Sequence, residues 1–214
     1  MTFARGRCLF LGVGLVVLST LRVSAQDSRK PTPQPVQYTV SLAKASEHVV
    51  TVKIELTPGA EERTLQLPVW YALYQVRDFS QYVRAVRTAS ASVAIQMVNK
   101  SEWRVNGAGS GVEIDYEVFA DTPGPFGAQL DSHHAFFNLA EILMYSVDTR
   151  ESPIDIRFSD IPQGWRVGTT LFASASDFTA ANYDELVDAP VEISAFEERD
   201  FDQDGGHYRV IVDA

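Results

Sequence analysis

Four short stretches of this 214-residue chain carry side chains of the type and spacing that chemistry uses. Asp131-Ser-His133-His134-Ala-Phe136-Phe137-Asn138 holds the only adjacent histidines, and imidazole is both a common metal ligand and the usual proton carrier near neutral pH. Adjacent residues of a strand point to opposite faces, so His133 and His134 cannot readily share one tetrahedral metal. A cleft-lining or domain-interface role is expected for the segment instead. Asp200-Phe-Asp202-Gln-Asp204-Gly205 opens like a calcium loop, but the twelfth position, which needs a bidentate glutamate, is Ile211. Tyr208, Val210 and Val212 alternate behind it, so the expectation is a hairpin turn with an acidic rim. Asp184 and Asp188 are spaced to share one side of a helical turn, which Pro190 would end. Paired carboxylates can exchange protons, yet no nucleophile, metal set or sugar site accompanies them. Arg77 and Asp78 close an aromatic-rich run and would face opposite ways on a strand, each needing its own partner if buried.

The familiar catalytic strings are missing. The sequence has no His-Glu-x-x-His, no Gly-x-Ser-x-Gly and no P-loop. Its one cysteine, Cys8, lies in an N-terminal apolar run. An enzyme of some other type, built on Asp184, Asp188, His133 or His134, would have to show hydrolysis by the purified chain alone.

The elements that must position these residues read mainly as strands. Val36, Tyr38, Val40 and Leu42 alternate with polar residues, as do Val50, Val52, Ile54 and Leu56, and Val112, Ile114, Tyr116 and Val118. Such alternation suits half-buried antiparallel strands. Further strands are expected at 64–70, 93–98, 102–106, 153–158, 165–172 and 207–213. Pro58-Gly59, Asn106-Gly107, Pro123-Gly124-Pro125 and Asp204-Gly205-Gly206 supply turns, and Asn106-Gly107 resembles a hairpin with a lengthened loop. Short helices are expected within 137–146 and 180–187. The expected fold class is all-β: a single antiparallel β-sandwich with one or two short helices.

Residues 1–25 have the anatomy of a secretory leader, with Arg5 and Arg7 before an apolar run from Cys8 to Leu21 and Val23-Ser24-Ala25 as a cleavage site. The run is shorter than the roughly 20 residues that span a bilayer, so no stable membrane insertion is expected after cleavage, although retention as an anchor is the alternative. Residues 26–35 read as a proline-rich linker and 36–214 as the domain. Loss of Arg5, Arg7 and Arg22 takes the net charge from −10 to −13, which disfavours nucleic acid and anionic lipid as partners. The expected location is the periplasm or the exterior.

Two strings carry a family resemblance. Leu67-Pro-Val-Trp70-Tyr71-Ala-Leu-Tyr74-Gln-Val-Arg77-Asp78-Phe79 and Tyr183-Asp184-Glu-Leu-Val-Asp188-Ala-Pro190 are similar to segments of the N-terminal β domain of M61 metallo-aminopeptidases, the glycyl aminopeptidase-like family that usually also carries a PDZ domain. Ala72-Leu73 stands where that family commonly has a Pro-Gly turn. The resemblance implies a non-catalytic domain packed on a zinc catalytic domain and forming one wall of its substrate cleft. It implies no cofactor in this chain, zinc belonging to the catalytic partner, and a junctional role for Tyr183 to Ile193. Trp70, Tyr71, Tyr74, Phe136 and Phe137 are the candidate wall residues, with Arg77, Asp78, His133, His134, Asn138, Tyr183, Asp184 and Asp188 as further cleft or interface candidates. The plainer account of the aromatics is core packing, with Arg77 in a fixed ion pair. A split or truncated gene product and a free-standing peptide- or protein-binding module are the two forms this resemblance allows.

Overall fold

Burial alternates along Val36–Lys44, Val49–Leu56 and Val112–Phe119, three neighbouring strands of a seven-stranded sheet. The computed structural model describes residues 34–72, 75–174 and 177–213, without the side chains of 70–72, 75 and 76. The stretch expected to be a leader and nearly all of the expected linker therefore lie outside the described residues, as does Tyr74. So do the side chains of Trp70 and Tyr71. No helix among the described residues is long and apolar enough to cross a membrane.

The large sheet runs Phe172–Ala173, Phe178–Ala180, Ile154–Ser159, Val36–Lys44, Val49–Leu56, Val112–Phe119, Val83–Arg87. It departs from the antiparallel expectation at one pair, because Val36–Lys44 and Ile154–Ser159 run parallel. A long connection returns the chain to the open edge of its first strand, which a hairpin could not do. Among the described residues two four-stranded sheets and two hairpins accompany the large sheet, so the sheets are more divided than a simple sandwich. Their inward side chains nonetheless join one apolar cluster, including Ile54, Tyr116, Leu65, Val105, Phe137 and Ile193.

Asn106-Gly107 does not make a hairpin. Glu102–Asn106 pairs with Glu62–Gln66 and Ala94–Asn99, whereas Val112–Phe119 pairs with Val49–Leu56 and Val83–Arg87. Gly107 and Gly111, both at positive φ, instead carry the chain from one sheet to another. The expected acidic-rimmed hairpin is present as Glu197–Gln203 and Gly206–Val212. Asp204 and Gly205 have φ of 51° and 81°, the paired positive values of a tight primed turn.

The helix expected within 137–146 is a single turn, Leu139–Ile142, capped by Asn138 Oδ1, which accepts from Ala140 N at 3.3 Å. Its continuation is taken by three buried tyrosines. Tyr116 Oη donates to Ile142 O and accepts from Met144 N, at 2.8 and 2.9 Å. Tyr183 Oη donates to Leu143 O at 2.7 Å, and Tyr38 Oη to Met144 O at 2.8 Å. Backbone groups that would have extended the helix are satisfied sideways. Tyr183 opens the second helix, Tyr183–Asp188, whose Asn182 cap accepts from Glu185 N and which ends before Pro190.

Candidate functional site

The four-stranded sheet Ala128–Leu130, His134–Phe137, Val191–Ser194, Arg166–Thr169 shows how a period of two separates core from surface. Ala135, Phe137, Val191 and Ile193 are fully buried. His134, Phe136 and Glu192 lie on the other face, where His134 pairs with Ser194 and Phe136 with Glu192 across the strands. Gly168 pairs with Glu192 from the next strand, and its missing side chain matters. A Cβ there would clash with Ile211 Cδ1, so the C-terminal hairpin rests directly on this glycine. Arg166 pins the hairpin further, donating to Phe196 O at 2.7 Å and to Glu198 at 3.2 Å. The hairpin's last described residue, Asp213, thereby reaches His134 Nδ1 at 3.5 Å.

Three hollows adjoin along this side. A groove of about 600 Å³ runs between sheet and hairpin past Phe136, Leu171, Pro190 and Ile211. It shares Phe136, Glu192 and Asp213 with a hollow of about 360 Å³ that also meets His134 and Pro125. That hollow shares Gly124 and Pro125 with a third, about 310 Å³, lined by Arg77, Asp78, Thr122, Phe126 and Glu141. Together they form one track divided by the Pro123-Gly124-Pro125 loop.

At the far end of the track Glu141 is 1% exposed. Thr122 Oγ1 donates to its Oε1 at 2.8 Å, while Oε2 is buried without a hydrogen-bond partner. Burial pushes this carboxyl up to about 7 against the opposing pull of Thr122 and the Arg77 charge. The Arg77 guanidinium lies 5.0 Å over the Phe126 ring, and Phe126 is 37% exposed. At the other end burial, and then the Asp213 charge, raise the Glu192 carboxyl, with Ser194 and His134 opposing. Burial also opposes ionisation of Asp131, but the His133 and His134 backbone N–H groups donate to its Oδ1 and hold it below the usual carboxylate range.

The candidates from the sequence thus divide. Arg77, Asp78, His134 and Phe136 line the track. Asp78 accepts from Ser80 Oγ, so Arg77 and Asp78 do take separate partners. His133 is exposed and aside, its ring nearest Ser132 and Asp131. Phe137 and Tyr183 are core residues and present no surface to a partner, and Asn138 is a buried helix cap. Asp184 is paired with Arg150 at 2.7 Å and, with Asp188, borders a separate open hollow. Glu141, Glu192, Asp213, Thr122 and Phe126 were not singled out. The available signal for Glu141 was a lone acid in the apolar string 137–144.

The family model for the peptidase M61 N-terminal domain matches residues 37–195. A crystal structure of an aminopeptidase N family protein from Idiomarina loihiensis superposes with a TM-score of 0.77 at 22% identity, over 84% of this chain and 32% of that one. A variant M1 zinc metallopeptidase from Deinococcus radiodurans bound to a Tyr-Ser-Ala substrate gives a TM-score of 0.46 at 13% identity, over 83% and 46%. The chain therefore spans about a third of the first protein and less than half of the second. Comparison with curated proteins gave no match.

Proposed function

The chain belongs to the peptidase M61 N-terminal domain family, and from that premise we propose that it serves as the non-catalytic wall of a peptide cleft. The other wall is a zinc catalytic domain, joined in the same polypeptide or supplied by another, and the complex works outside the cytoplasm. The track along Phe126, Pro125, Phe136 and Ile211 is the face that meets it. One observation carries this reading: buried polar atoms that lack partners, Glu141 Oε2, His134 Nδ1 and Glu192 Oε1, occur along the track. Such atoms are costly to leave unpaired, and donors or acceptors from an opposing surface would relieve them. The domain's part is positioning, and the bond-breaking zinc chemistry belongs to the partner.

Phe136→Ala and Phe126→Ala should each weaken docking to an M61-type catalytic domain by about tenfold or more, the loss expected for an interface anchor. Phe172→Ala is the control, since Phe172 is 73% exposed on an edge strand of the large sheet. Titration calorimetry reads the difference, and equal affinities for all three variants would remove the track from the interface. The contiguity of the hollows also favours a second reading, a free-standing module that holds an extended peptide. In that case a short peptide would titrate into the chain alone and the same two phenylalanines would govern its affinity.

A further inference from the structure

We propose that His134, Glu192 and Asp213 form a binding site for a divalent transition-metal ion of the zinc class. The three ligand atoms lie within 4.8 Å of one another. His134 Nδ1 is 3.5 Å from Glu192 Oε1 and 3.5 Å from Asp213 Oδ2. Zinc bonds to nitrogen and oxygen of about 2.0–2.2 Å give a tetrahedron with edges of roughly 3.3–3.6 Å. Both measured separations fall in that range.

A protonated imidazole between acids is the competing account, and the geometry disfavours it. Both carboxylates face the same ring nitrogen, and one N–H cannot point squarely at both. Neither contact is a hydrogen bond: Nδ1 and Glu192 Oε1 are both buried and without a partner. An ion seated on the Nδ1 lone pair would satisfy all three atoms together. The opposite nitrogen, Nε2, faces Asp131 Oδ2 at 4.0 Å, on the side where a carboxylate commonly supports a metal-bound histidine. The adjoining hollow beside Gln129 and Pro125 leaves space for a fourth ligand. An imidazole in the set argues against calcium or magnesium, which prefer all-oxygen shells.

The site unites two sheet strands with the C-terminal hairpin, and that hairpin begins beyond residue 195, where the family match ends. A bound ion would satisfy His134 Nδ1 and Glu192 Oε1 without an opposing surface and leave only Glu141 Oε2 to the docking account, so the two readings are tested separately. His207, exposed beside Asp202 at 2.9 Å on the same hairpin, is the obvious rival ligand and the necessary control.

The test is calorimetric titration of the purified chain, free of any histidine tag, with zinc chloride, together with ¹⁵N histidine side-chain NMR. One-to-one saturable binding is expected, with the His134 ring resonances moving and Nε2–H retained. His134→Ala and Asp213→Asn should each weaken binding by about tenfold or more, while His133→Ala and His207→Ala leave it unchanged. Asp213→Asn lies at the end of the hairpin and guards against loss of folding in the histidine variant. Absence of saturable binding would overturn the proposal, as would binding that survives both ligand variants or disappears only with His207→Ala.

Discussion

Replacing Glu141 with Gln will make the domain more stable at pH 8 than the native chain and will flatten its stability between pH 5 and 8. Burial raises the folded-state carboxyl from 4.5 to about 7. A group whose pKa rises on folding contributes stability that is complete below its unfolded value and is lost as pH rises through the folded one. The native domain should thus lose stability from about pH 4.5 upward and level off above about 7. A difference of roughly 2.5 pH units corresponds to about 3 kcal/mol at most, a large part of the 5–15 kcal/mol of a typical domain. Glu117, Asp131 and Asp160 act in the opposite sense, because their folded values are lowered. Their contributions are present above their unfolded values and fade as pH falls below about 4, outside the window. Urea unfolding of both proteins at pH 5 and pH 8 isolates Glu141 as the difference between the two pH slopes. Parallel slopes would mean that its carboxylate finds a partner in solution.

The second large effect belongs to the tyrosine clamp that holds Glu141 in place. Tyr116→Phe strips a donor from Ile142 O and an acceptor from Met144 N, both in the core. Leaving buried groups unpaired costs about 1–3 kcal/mol each, so a loss of about 2–4 kcal/mol is expected. Tyr38→Phe and Tyr183→Phe each break one bond and should cost about 1–2 kcal/mol. Because the three hydroxyls converge on consecutive residues, their effects should not add. Burial pushes all three phenols upward. Their stabilisation is intact below the unfolded value of about 10 and fades at higher pH. Denaturant midpoints of the single and double variants measure the clamp, and a near-neutral Tyr116→Phe would show that water replaces the hydroxyl.

The strands were legible because their residues alternate so cleanly; Glu102–Asn106 and Val112–Phe119 fall close to the expected bounds. The order of the sheets was not. Asn106-Gly107 has hairpin chemistry, but which sheet each neighbouring strand joins depends on contacts distant in sequence. The same limit applied to Tyr183. Its string marked the family, while its hydroxyl bond to Leu143 O, 40 residues away, is a matter of tertiary structure. In the histidine segment His133 lies in a bend ahead of the strand His134–Phe137, so the alternation rule does not reach it, but within the strand the rule explains why Phe136 faces the track while Phe137 is core. What the pattern could not convey was that Glu192 and Asp213, 58 and 79 residues further on, meet His134. Gly168 makes that meeting possible by what it lacks, and an absent side chain leaves no signal in composition or periodicity.

The central claim, that this domain completes a cleft with a zinc catalytic domain, is tested most directly by recovery from the native envelope fraction, with the chain as bait. The account predicts co-purification of a zinc peptidase whose aminopeptidase activity needs the complex, and which Phe136→Ala no longer retains. A folded monomer that recovers no peptidase, or a peptidase equally active without it, would contradict the account.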